Sequence, residues 1–175
     1  MEKKGRIGMD VTVQKTWIKW GVLLSYLLML TVNALANALP LNGLNTGQVA
    51  NSYPNLFTPA PLTFGIWGVI YLSLAVYVTF QLLRRKSDVP AARQPMLEEI
   101  GKLFILTSVL NAGWILAWHY LQIEISVLVM VLLLLSLIRI GWLLRAPHCA
   151  PLEELALRIP FGLYLGWITV ATVAN

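Results

Sequence analysis

Trp67, Trp114 and Trp167 each stand several residues inside a long apolar run rather than at its edge. Each belongs to a stripe at helical spacing. Phe64, Trp67 and Tyr71 form one; Thr107, Asn111, Trp114 and Trp118 a second; Tyr164, Trp167, Ala171 and Asn175 a third; Tyr26, Leu30, Asn33 and Asn37 a fourth. Residues so spaced share one face of a helix. Asparagine in hydrocarbon is costly unless hydrogen-bonded, so Asn33, Asn37 and Asn111 should face the interior of a bundle. The chemistry open to this set is recognition: a mostly apolar pocket walled by rings, with a few amides. The candidate ligand-binding residues are Trp67, Tyr71, Asn111, Trp114, Tyr164, Trp167, Asn33 and Asn37. The same residues also serve as interhelical packing and hydrogen bonding, and from pattern alone that is the simpler reading.

Reactive chemistry has little to stand on. No Ser-His-Asp set, paired carboxylates or metal-ligand cluster is apparent, so no catalytic and no metal-binding residues are assigned and no cofactor is required. Cys149 is the only cysteine, which excludes an internal disulfide and a cysteine metal site. The apolar runs hold no Asp or Glu between their interfaces, and Arg139 lies close enough to a run's end to snorkel, which argues against proton-coupled export. His119 could ligate iron, but beside a short turn it reads as an interfacial polar residue. Glu98 and Glu99 read as solvated loop charges. Gly162 and Gly166 form a GxxxG pair, suited to packing within the bundle or to a homodimer.

The elements that must position these residues are apolar and long. The chain is 58% hydrophobic and 12% charged, with a mean hydropathy of +0.70, whereas a soluble domain is nearer half apolar and a quarter charged. Five runs, roughly 19–40, 62–83, 103–120, 122–144 and 157–175, approach the 20 or so residues that cross a bilayer. In hydrocarbon the backbone must satisfy itself, so each is expected to be a helix. The expected fold is an all-α membrane protein, one bundle of five transmembrane helices over 19–175 behind a basic tail, 1–18. Pro160 is expected in the first turn of the last helix, where its missing N–H had no partner anyway. The fourth run is plain aliphatic apart from Ser126 and Ser136, and is expected to contribute mainly aliphatic packing. No cleavable signal peptide is expected, because the basic start leads into a long apolar run.

Charge placement sets the orientation. All 13 Lys and Arg fall before the first run, in or beside the connection between the second and third, or near that between the fourth and fifth. The stretches 41–61 and 119–124 contain none. By the positive-inside rule the N-terminus is expected in the cytoplasm and the C-terminus outside. The formal charge of +5 is then a topology signal, not a nucleic-acid footprint. Trp17, Trp20 and Trp142 read as an aromatic belt on the basic side, and Trp118 and Tyr120 as the opposite one. The stripes converge in the outer half, beneath the uncharged loop 41–61.

Three stretches resemble the tryptophan-rich sensory protein or translocator protein (TspO/MBR) family. WGVIY at 67–71 is similar to the family's W-T-x-L-Y, NAGW at 111–114 to N-x-x-W, and YLGWITVATVAN at 164–175 to Y-x-x-W-V-x-F-A-x-x-L-N. Departures mark a divergent member: TFGIW replaces F-G-P-V-W, and Trp118 and His119 replace paired phenylalanines. The resemblance implies a five-helix bundle that binds tetrapyrroles (porphyrin or haem) or related hydrophobic ligands in an outer-half aromatic pocket, with protoporphyrin IX as candidate ligand and a transport or sensing role. Tetrapyrrole photodegradation enters only by this route; an enzyme is not the expectation. The expected location is a bacterial cytoplasmic membrane, with the lipid bilayer as partner. The rival reading is a structural or assembly subunit of a membrane complex, with no ligand.

Overall fold

A computed structural model of the chain describes residues 3–39, 41–44, 48–49, 61–85, 89–145 and 151–175. Among these residues every regular element is helical. The main helices are α1 (Lys3–Ala38), α2 (Ile66–Leu83), α3 (Gln94–His119), α4 (Ile123–Leu143) and α5 (Ile159–Ala174). Five segments are long and apolar enough to cross a membrane: Thr16–Ala38, Leu62–Leu83, Ala91–His119, Ile123–Leu143 and Pro151–Ala174. The expected count of spans holds.

Two boundaries move, for physical reasons. The third helix starts at Gln94 rather than near 103, with Pro95 in its first turn, where no N–H is needed. Its first three turns carry Glu98, Glu99 and Lys102, so hydropathy alone stops short of its start. Glu98 and Glu99 are therefore helical, not loop, residues. Glu99 Oε1 accepts from Arg139 Nε at 2.9 Å and Nη2 at 2.7 Å, tying α3 to α4.

The fifth span starts at Pro151 rather than 157; Pro160 lies in the first turn of α5, as expected, but helical backbone continues N-terminal to it. Proline there removes an N–H and crowds the carbonyl four residues back. The chain answers with a wider π-helical turn over Glu154–Arg158, in which Ile159 N–H bonds to Glu154 O.

The helices close into a ring. α1 packs on α3, α3 on α4, α4 on α5, α5 on α2, and α2 on α1. Tyr77, Phe104 and Phe161 fill the middle, Tyr77 lying edge-on to Phe104 and Phe161 at 4.9 and 4.8 Å between centroids. The outside is aliphatic: Leu24, Leu72, Leu128 and Leu135 are exposed, as lipid-facing positions should be. Trp17, Trp20 and Trp142 are exposed at the basic end, and Tyr120 at the far end, as belt residues would be. Trp118, expected in a belt, is instead buried and stacked on Trp114 at 5.6 Å. Gly162 and Gly166 face outward, with nothing within 4 Å of an added Cβ. Packing within the bundle does not use them.

Candidate functional site

Trp67 is the hub of the half of the bundle away from the basic end. It stacks on Tyr71, four residues on along α2, at 5.5 Å and 22°, and on Trp114 of α3 at 5.9 Å and 30°. Tyr164 and Trp167 of α5 meet it edge-on at 6.3 and 6.1 Å. Offset stacks and edges are the favoured arrangements of such rings. The stripes therefore converge as their spacing implies.

Two hydrogen-bond relays fix this cluster. In the first, Asn33 Nδ2 donates to Asn111 Oδ1 at 2.8 Å, and Asn111 Nδ2 donates to the Tyr164 hydroxyl at 3.0 Å, joining α1, α3 and α5. Asn33 Nδ2 also donates to Met29 O at 2.9 Å, so both of its N–H groups are used. In the second, Trp114 Nε1 donates to Asn175 Oδ1 at 2.8 Å, and Asn175 Nδ2 donates to Ser126 Oγ at 2.8 Å. The Ser126 hydroxyl donates in turn to Ile123 O. α4, expected to contribute mainly aliphatic packing, also supplies the end of a polar relay. Ser126 was visible in the sequence only as a lone hydroxyl in an aliphatic run.

Beside the cluster lies a cavity of about 480 Å³ between α1, α2 and α3, lined by Asn33, Ala34, Asn37, Phe64, Trp67, Gly68, Tyr71 and Ile115 among others. Phe64 arrives from the 3₁₀ turn Pro61–Gly65 that leads into α2. The space exists because two wall residues are small. Ala34 has only a methyl group, and a Cβ added at Gly68 would meet nothing within 4 Å. Ala34, Asn37 and Gly68 are exposed, which places the mouth between α1 and α2. Small residues facing Trp67 were the sequence signal for this cavity, and no stripe of large residues could give it.

The eight candidate residues divide into two layers. Asn33, Asn37, Trp67 and Tyr71 line the cavity. Asn111, Trp114, Tyr164 and Trp167 stand behind Trp67 or Asn33 and hold them. Asn37, expected to face the interior, sits exposed at the rim, with one N–H on Asn33 O at 2.9 Å. The Tyr71 hydroxyl and Trp167 Nε1 are buried with no hydrogen-bond partner among the described residues, while Tyr71 O accepts from the Tyr26 hydroxyl at 2.9 Å. Most of the loop 41–61 lies outside the described residues. Asn42, in a left-handed conformation at φ 56°, donates to His119 O.

His119 is not an interfacial residue. It is fully buried, with Nδ1 2.9 Å from Ile115 O and its ring edge-on to Trp118. It does not line the cavity. Among the described residues no group of three or more His, Cys, Asp or Glu could hold a metal ion.

A family model described as TSPO-like protein matches residues 18–175. Comparison with curated proteins and comparison with solved structures each gave no match.

Proposed function

We propose, since this chain belongs to the TSPO-like protein family, that its far-end cavity binds a tetrapyrrole of the porphyrin or haem class, in a transport or sensing role. The observation that carries this reading is the position of Trp67. It is at once a wall of the cavity and the centre of a five-ring cluster, so its indole is held rigidly where a flat apolar ligand would stack. Preorganised aromatic walls with few polar groups suit such a ligand. Anionic side groups of the ligand would meet Asn37 at the rim rather than Asn33, whose donors are already used. The orientation that belongs to this proposal puts the basic end in the cytoplasm of a bacterial cell and the cavity toward the outer face. A second copy would approach most closely along the exposed Gly162–Gly166 face.

The test is titration of detergent-purified protein with protoporphyrin IX, followed by the porphyrin absorption band. Aromatic stacking contributes about 0.5–1.5 kcal/mol per pair beyond buried area, and about 1.4 kcal/mol is a factor of ten in Kd. Trp67→Ala should weaken binding by up to about tenfold. Trp67→Phe should cost less, because a ring remains. Trp20→Ala, at the opposite end, should leave Kd unchanged. A folded Trp67→Ala protein that binds like the parent makes the cluster a packing device. The assembly-subunit reading would then be the better one, and one observation already favours it: Asn111, Tyr164 and Trp114 are all engaged in internal hydrogen bonds.

A further inference from the structure

At the basic end α1, α2 and α3 enclose a second cavity, of about 470 Å³, with the opposite chemistry. Among the described residues its walls carry three cations, Lys19, Arg84 and Arg85, against one carboxylate, Glu98. Lys19 Nζ donates to Leu82 O at 2.9 Å and Arg84 O at 2.7 Å, capping the last carbonyls of α2. Arg84 donates through Nε to Gln81 Oε1 at 2.9 Å. Its terminal nitrogens have no hydrogen-bond partner among the described residues. Burial lowers the Arg84 pKa, against the opposing pull of Tyr77 and Glu98, a cost of desolvation that a nearby anion would offset.

Gln81 is the decisive residue. It lines this cavity, is 1% exposed, and its Nε2 has no partner among the described residues. A buried amide donor is rarely left without an acceptor. Donors in excess of acceptors, with a guanidinium among them, fit phosphate oxygens.

The cavity does not end in water alone. Leu83 and Arg84 also line a cleft of about 570 Å³ between α2 and the start of α5, walled by Ala75, Val76, Phe80 and Leu152. The one carboxylate there, Glu153, is paired with Arg93. A cationic cavity thus adjoins an apolar cleft at the level where the spans begin.

We infer that the basic end binds an anionic phospholipid, its phosphate among Lys19, Gln81, Arg84 and Arg85 and an acyl chain along the α2–α5 cleft. This site is separate from the tetrapyrrole reading and stands if that reading fails. Each cation near an anionic lipid contributes about a factor of five in affinity.

Native mass spectrometry of the detergent-purified full chain, with phosphatidylglycerol and phosphatidylcholine of identical acyl chains, tests it. The parent should retain phosphatidylglycerol about tenfold better. Arg84→Gln, Arg85→Gln and Gln81→Leu should each reduce that preference about three- to fivefold, while Arg145→Gln, which removes a cation stacked on Trp142 at the same end, should leave it intact. Arg85 is exposed, so its variant keeps the test alive should the buried positions misfold. Val76→Trp, which fills the cleft from an exposed position, should weaken binding of both lipids. Equal retention of the two lipids by the parent, or a preference unchanged in all three variants, overturns the site. Glycerol phosphate binding as tightly as phosphatidylglycerol, with no effect of Val76→Trp, overturns the lipid assignment in favour of a soluble phosphate ester.

Discussion

Asn111 is fully buried in the bundle and holds both neighbours of the first relay, so its removal should be expensive in a calculable way. In Asn111→Leu the branched heavy-atom outline of the side chain is kept and two hydrogen bonds are lost, at 2.8 and 3.0 Å. Interhelical polar bonds within membranes average about 0.6 kcal/mol and reach about 1.7. Stranding a buried donor costs about 1–3 kcal/mol more. One N–H of Asn33 is stranded, since its other remains on Met29 O. The Tyr164 hydroxyl loses an incoming donor, a smaller loss. The sum is about 2–4 kcal/mol. Asn33→Leu strands only an acceptor and should cost less. The double variant removes both partners and should cost less than the two single changes added, by about 0.6–1.7 kcal/mol, the coupling of one such bond. The loss of the Asn33 bond to Met29 O occurs on both legs of the cycle and cancels. Equilibrium unfolding in mixed micelles with rising dodecyl sulfate, followed by circular dichroism, measures all four proteins. Asn111→Leu within about 0.5 kcal/mol of the parent, or strict additivity in the cycle, would refute the claim that this relay stabilises the bundle.

The glycines and the orientation give two more tests. A Cβ at Gly101 would lie 2.7 Å from Ile18 Cγ2 and 3.2 Å from Gln81 Nε2, so Gly101→Ala should lose about 1–3 kcal/mol in the same titration. Gly162→Ala meets nothing within 4 Å and should gain up to about 1 kcal/mol from helix propensity; similar shifts for both would contradict the packing described. A cysteine placed within 41–61 should react with a membrane-impermeant maleimide on intact cells, while Cys149, outside the described residues, should be protected. The reverse labelling would invert the orientation proposed here.

The spans were legible because a membrane imposes one crude demand, about 20 apolar residues in a helix, and the sequence meets it five times. Their ends were less legible wherever a helix outlasts its apolar segment. Glu98 and Glu99 extend α3 beyond the hydrophobic run, and the π-helical turn over Glu154–Arg158 carries the helical path N-terminal to α5 and its first-turn Pro160. A stripe states which residues share a face but not which helix that face meets. Trp67 was correctly grouped with Tyr71 and Phe64, yet only the ring order shows that one indole serves two neighbours. It has the cavity of α1 and α3 on one side and the α5 rings on the other. Ser126 and His119 were misjudged for a related reason. Asn175, which donates to Ser126 Oγ, and Asn42, which donates to His119 O, are partners distant in sequence.

The distribution of used and unused polar groups bears on how a ligand could move. The carboxamides of Asn33 and Asn111 join α1, α3 and α5 through internal bonds, and below them Tyr77, Phe104 and Phe161 fill the axis with rings in contact. Passage of a macrocycle along that axis would require breaking the relay and expelling the ring plug together. Close-packed interiors do not open by small adjustments. The far-end cavity has its exposed wall residues, Ala34, Asn37 and Gly68, between α1 and α2 instead. In the tetrapyrrole reading proposed above, the ligand would enter or leave sideways past Ala34 and Gly68, without disturbing either relay. Transport by this protein would then be exchange at one face of the membrane, with lateral entry between α1 and α2, and the rigid centre would keep the two ends chemically separate.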